Sequence, residues 1–170
     1  AELPLGALLA QIERSGRIAS VPGTAVFLTS TPELAPSALL HSLKHFKSLH
    51  EQNVILTITT AKVPRVPAED RVRMEDINEH FRRVALLYGY AEEPDVPGAL
   101  LQCRRQGWKF DIMATSFILS RRRLRISTRS RMPHWQGKLY IALSRNAAAA
   151  SDYFRIPAGR VVEIGAQMNL

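Results

Sequence analysis

Between Thr24 and Thr60 two strand-like runs flank a helical one, and no other feature limits the fold as tightly. Thr24-Ala-Val-Phe-Leu-Thr29 is a short apolar run bounded by turn signals, as a buried strand requires. Asn53-Val-Ile-Leu-Thr-Ile-Thr-Thr60 is rich in β-branched residues, which pack well on a pleated surface. Pro32 and Pro36 break the chain between them, Ser37 is placed to cap a helix, and apolar residues recur at helical spacing from Leu39 to Leu49. A strand, a helix and a strand over this length form a βαβ unit with parallel strands.

The rest of the chain extends this unit. Leu5, Leu8, Leu9 and Ile12 have the spacing of an amphipathic helix stopped at Ser15-Gly16, and Ser20-Val-Pro-Gly23 reads as a turn. Residues 1–20 are thus expected to form an adapter leading into a domain at 21–170. Val63-Pro-Arg-Val-Pro67 is extended but too rich in proline for a central strand. Arg71–Ile77 and Phe81–Tyr90 read as strands joined at Asn78-Glu79-His80. A helix is expected from Asp95, with Pro97 in its first turn, to Gln106, with Gly107 ending it. Ser116–Leu119, Leu124–Ser127 and Val161–Ala166 are further strands, and Pro133–Phe154 is a long helix. The expected fold class is α/β: a mixed central β-sheet with a parallel βαβ unit, flanked by helices.

Composition narrows the function classes. At 46% apolar over 170 residues the chain can close one core. No run reaches the length of about 18–20 apolar residues that spans a bilayer. The single cysteine excludes a disulfide framework and a cysteine-based zinc site, and suits a reducing compartment. The net charge of +8 favours anionic neighbours: nucleic acid, an acidic membrane surface or a phosphorylated ligand. The chain opens on Ala1 without an initiator methionine, which fits a mature form or a piece of a longer protein.

Three of the five histidines fall in Leu39-Leu-His-Ser-Leu-Lys-His-Phe-Lys-Ser-Leu-His-Glu51. On a helical wheel Leu39, Leu40, Leu43, Phe46 and Leu49 share one half, while His41 and His45 lie opposite. Two histidines four residues apart can share a metal, but zinc needs a third protein ligand, and position 42 is serine rather than the glutamate of a His-Glu-x-x-His site. No metal site is expected. His50 is expected at the helix C-terminus, bonding its last carbonyls, with the protonated ring favoured by the helix dipole.

No catalytic set assembles. Asp95 is expected to cap its helix while Glu92 and Glu93 favour that helix's positive end. Cys103 shares a face with Val96, Ala99 and Leu100 and belongs in the core. No glycine-rich phosphate loop and no Gly-x-Ser-x-Gly elbow occurs, and no cofactor is expected.

Two features point outward. Arg121, Arg122, Arg123, Arg125, Arg129 and Arg131 lie in one short tract with serine and threonine among them, and guanidinium forks with hydroxyls suit phosphate oxygens. The tract reads either as a solvated basic edge or as a contact for anionic lipid or nucleotide. Asn146 falls within the apolar stripe of the last helix, where a buried amide must find partners, in a structural lock or a dimer contact. By analogy with open α/β sheets, the loop Thr29-Ser30-Thr31 just past the first strand is the candidate ligand ground.

A series of segments carries a family resemblance: Val21–Ser30, Ala38–His45 with Leu49-His-Glu51, and Val63–Pro67. It continues with Glu92–Pro97, Thr115–Leu119, Met132-Pro-His-Trp135, Arg145-Asn-Ala147 and Val161–Gly165. In this order and spacing the chain resembles the C-terminal cytosolic domain of bacterial Kup-type potassium transporters (the HAK/KUP/KT family), over Val21 to Leu170. Where that family tends to follow the Thr-Ser-aromatic strand with Gly-Arg-Glu, this chain has Ser120-Arg121-Arg122, and the acidic position is absent.

The resemblance implies a parent that carries potassium inward, in symport with protons, through a membrane domain outside this chain. It implies a regulatory or assembly role here, with the membrane domain and a second subunit as partners, at the cytoplasmic face of the bacterial inner membrane. Basic residues there gain about 1 kcal/mol each beside anionic lipid. Some relatives answer to a cyclic dinucleotide, so a nucleotide is a further candidate partner. The alternative is a stand-alone module that binds nucleic acid or nucleotide through the Arg121–Arg131 tract.

Overall fold

The βαβ unit forms as expected. Strand β1 (Ala19–Leu28) runs parallel to β2 (Ser48–Thr60), with helix α2 (Ser37–His41) between them in the chain. The computed structural model describes residues 3–109, 111–121, 152 and 154–165. Around the unit lie α1 (Leu5–Ser15), β3 (Val72–Asp76), β4 (Phe81–Tyr88), α3 (Val96–Arg105), β5 (Thr115–Arg121) and β6 (Val161–Gly165). The six strands form one sheet in the order β3-β4-β2-β1-β5-β6. All neighbours are parallel except β3, the antiparallel edge strand that makes a hairpin with β4.

Both faces of the central strands are covered, which explains why Ala25–Leu28 and Val54–Leu56 are buried without a break. On one face Val26, Val54, Leu56, Val84 and Phe117 pack with Val96, Ala99, Leu100 and Cys103 of α3 and with Phe154. On the other Ala25, Phe27, Ile55, Phe81 and Ile118 pack with Leu5, Leu8 and Leu9 of α1 and with Ala38 and Leu39 of α2. Gly16 closes α1 at φ 55, and Asp95 caps α3 by accepting the Gly98 N–H at 3.1 Å.

Three local expectations give way. Ser20–Gly23 is not a turn but part of β1, with a bulge between Val21 and Thr24. Pro22 has no N–H to give the ladder and Gly23 takes φ 98, so a bulge absorbs both. Ser37 is the first helical residue rather than the cap; the Leu40 N–H donates to the Pro36 carbonyl at 3.1 Å and no side chain caps α2.

The histidine helix is also shorter than its pattern. After His41 it widens to a π-helical turn over Ser42–Phe46, then stops at Lys47, which sits in the left-handed region at φ 49. The Lys47 carbonyl accepts the Ala19 N–H at 3.1 Å, and Ser48–His50 pair with Ala19–Val21. Ladder bonds to β1 thus override helical spacing. Leu49 still turns inward, but Phe46 is 70% exposed instead of lying on the apolar half.

Asp152 and Phe154 are helical, while the rest of the expected Pro133–Phe154 helix and the Leu124–Ser127 strand lie outside the described residues.

Candidate functional site

The chain leaves β1 first to one side, for β2 and β4, and later to the other, for β5 and β6. The gap beyond the carboxyl ends of β1 and β5 is therefore the topological switch point of the sheet, the usual ligand position in open α/β folds. Thr29-Ser30-Thr31 begins there, one residue past Leu28, which pairs with Leu119 of β5. The loop is held at its base. The Thr29 N–H donates to the Leu56 carbonyl at 3.0 Å, and the Thr31 N–H donates to Thr29 Oγ1 at 3.2 Å. Arg121 ends β5 at the same end of the sheet, opposite Gly165 of β6. The fold thus brings the threonine loop and the start of the arginine tract to one sheet end. Arg122, Arg123, Arg125, Arg129, Arg131 and Asn146 lie outside the described residues.

His50 is not at a helix C-terminus. It stands half-buried on β2, opposite Val21, and burial lowers its pKa, so the neutral ring is favoured rather than the protonated one. His41 and His45 do lie together, their rings stacked 5.6 Å apart and inclined by 16°. Among the described residues no three His, Cys, Asp or Glu side chains gather as a metal site would need.

Burial pushes the Cys103 thiol up to about 11, which makes it a poor nucleophile.

The most organised polar cluster escaped the sequence reading. Glu92 was expected to serve the helix dipole beside Asp95. Instead its carboxylate takes both ends of the Arg71 guanidinium and the N–H groups of Val66 at 3.0 Å and Gly89 at 2.7 Å. Arg71 also donates to the carbonyls of Leu87 at 3.1 Å and Val66 at 3.0 Å, and stacks over the Tyr88 ring at 4.2 Å. The Tyr88 hydroxyl donates to the Asp95 carbonyl at 2.9 Å. The Arg71 guanidinium, helped by the two N–H groups, draws the Glu92 carboxyl down to about 2. This clamp fixes the proline-rich segment against the carboxyl end of β4. Arg71 and Glu92 are 21 residues apart, and nothing in their local sequence announces the pairing. Asn53 is a second omission, a buried amide that donates to the carbonyls of His50 at 2.8 Å and His80 at 3.2 Å. Its signal was available: a polar residue heading an otherwise apolar strand.

The family model described as the K+ potassium transporter C-terminal domain matches residues 22–170. The chain belongs to this family. Among relatives of this potassium transporter C-terminal domain is "Probable potassium transport system protein Kup 1" of Mesorhizobium japonicum. It is 63% identical over 150 residues, which are 88% of this chain and 24% of that protein. "Probable potassium transport system protein Kup" of Brucella abortus is 56% identical over 170 residues, 100% of this chain and 26% of that protein. The domain thus spans about a quarter of the length of the curated relatives it matches. No solved structure matches it. Among its described residues no helix is long and apolar enough to cross a membrane.

Proposed function

We propose that this chain is a non-catalytic cytosolic domain of a potassium uptake transporter, serving regulation and the meeting of two subunits. The family match over residues 22–170 carries this reading, with relatives named as potassium transport system proteins. The movement of potassium, coupled to protons, belongs to polypeptide outside this chain. The domain lies at the cytoplasmic face of the bacterial inner membrane. There Arg121, Arg122, Arg123, Arg125, Arg129 and Arg131 meet anionic lipid. The Thr29–Thr31 loop is the ground for a small regulatory ligand, a nucleotide such as a cyclic dinucleotide being one candidate. Asn146 and His50 are the polar contacts proposed for locking the fold or the dimer.

Deletion of the domain from the full-length transporter tests the reading. Potassium uptake is expected to persist, with altered control or a shift from dimer to monomer in detergent. A deletion that keeps both its control and its oligomeric state would overturn the regulatory and assembly role. One that abolishes uptake in a correctly inserted protein would place the ion pathway partly here.

A further inference from the structure

Beyond the carboxyl ends of β2 and β4, two loop segments lie side by side. The Tyr90 N–H donates to the Val63 carbonyl at 3.0 Å, and the Ala91 N–H to the Pro64 carbonyl at 3.0 Å. Val63 is 47% exposed and Tyr90 is 58% exposed, although one side chain is aliphatic and the other is an aromatic ring with a single hydroxyl. Lys62 and Arg65 flank them, both exposed and without an ion pair among the described residues. The nearby carboxylates are otherwise engaged, Glu92 by Arg71 and Glu93 by Arg155 at 3.5 Å. Glu69 and Asp70 follow only past buried Val66, on the single turn that leads to β3.

The patch is not a floppy tip. A Cβ on Gly89 would meet the Pro64 carbonyl oxygen at 2.2 Å, so the two segments are in tight backbone contact, and the Arg71–Glu92 clamp closes on Val66 directly behind them. A rigid loop that holds a tyrosine and a valine in water beside a lysine and an arginine, neither with an ion pair among the described residues, has the chemistry of a bilayer interface. Tyrosine sits at headgroup level, the aliphatic side chain enters the acyl boundary, and lysine and arginine meet anionic headgroups.

The fold aims this patch the right way. Leu3 and Pro4 are pinned at the same end of the sheet: the Ala35 N–H donates to the Leu3 carbonyl at 2.8 Å, the Leu5 N–H donates to the Glu33 carbonyl at 2.9 Å, and Pro4 bridges to Leu34. A domain described as C-terminal receives its chain from this side. Polypeptide preceding Leu3 therefore emerges at the sheet end that bears Lys62, Val63, Arg65 and Tyr90. We infer that this loop pair is a membrane-docking surface that seats the domain on anionic lipid. The inference rests on reading the chain as part of a membrane transporter, and it names a lipid contact separate from the arginine tract.

Flotation of the 170-residue chain with vesicles tests it. The vesicles are phosphatidylcholine alone, or with a third of the lipid replaced by phosphatidylglycerol. The chain is expected to float only with the anionic vesicles. Changing Lys62 and Arg65 together to glutamine should lower that partition about 30-fold, the loss of two basic contacts. Tyr90→Ser should lower it further at unchanged salt dependence. Far-ultraviolet circular dichroism checks that these exposed positions leave the fold intact.

If the double variant floats like the parent while a variant with Arg122, Arg123 and Arg125 changed to glutamine does not, the patch is overturned and lipid contact through the tract survives. Equal flotation on neutral and anionic vesicles would also overturn it. So would failure to float with either kind of vesicle. Loss of the function reading itself would show in the uptake assay, independently of these vesicles.

Discussion

A carboxylate with two guanidinium bonds and two backbone N–H donors is hard to replace, and Glu92 is such a group. Glu92→Gln removes the charge and leaves Arg71 with an amide in place of a charged partner. Hydrogen bonds to charged groups are the stronger kind, so a loss of about 2–3 kcal/mol is expected in urea unfolding. The pH dependence carries a signature. With a folded pKa of about 2 against an ordinary 4.5, the unfolded chain takes up the proton first. The stabilisation is complete above pH 4.5 and disappears as the pH falls towards 2, so the parent should show an acid limb that Glu92→Gln lacks. Gly89→Ala probes the same corner by sterics. Its added carbon would strike the Pro64 carbonyl, and overpacking of this kind costs about 1–3 kcal/mol, read as a lower urea midpoint at unchanged slope.

Among the elements, β2 shows where periodicity is a good guide and where it misleads. Its body, Asn53–Thr60, is legible because a run so rich in β-branched residues favours a strand over a helix. Its first residues are not, because Leu39, Leu40, Leu43, Phe46 and Leu49 continue a helical stripe across the true end at Lys47. Only the partner strand, remote in sequence, decides that Ser48–His50 pair with Ala19–Val21. The same limit hid the sheet order, the Arg71–Glu92 clamp and the patch at Tyr90, all made by long-range pairing. The βαβ unit, the β3–β4 hairpin and the Asp95-capped α3 were legible because each is written in local signals. His50, moved from helix end to strand, gains a test. Burial lowers its folded pKa, so its contribution is full above the ordinary 6.5 and erodes as the pH falls below it. His50→Gln should remove that part of the parent's loss of thermal stability below pH 6.5, seen as a flatter midpoint-versus-pH curve.

For the molecule as a whole, the family boundary and the core boundary do not coincide. The family match starts at residue 22, yet Leu5, Leu8 and Leu9 of α1 are at most 5% exposed and close one face of the sheet over Phe27 and Ile55. The segment read as a linker is in the same molecule a core element, so a connection to preceding polypeptide through it would be stiff. Fully burying a leucine is worth about 1.5–3 kcal/mol, so three contribute on the order of 5–9 kcal/mol, an upper figure for an extended unfolded chain. A whole domain is stable by only about 5–15 kcal/mol. A chain that begins at Ile18 should therefore lose its cooperative thermal transition and bind a hydrophobic dye, with Phe27 and Leu39 newly exposed. Restoring α1 as a separate peptide at high concentration should recover part of the transition, because binding only the folded form stabilises it by mass action. If the shortened chain instead melts cooperatively at the parent's midpoint, α1 merely rests on the sheet. Movement of the preceding polypeptide would then have no rigid lever into the domain.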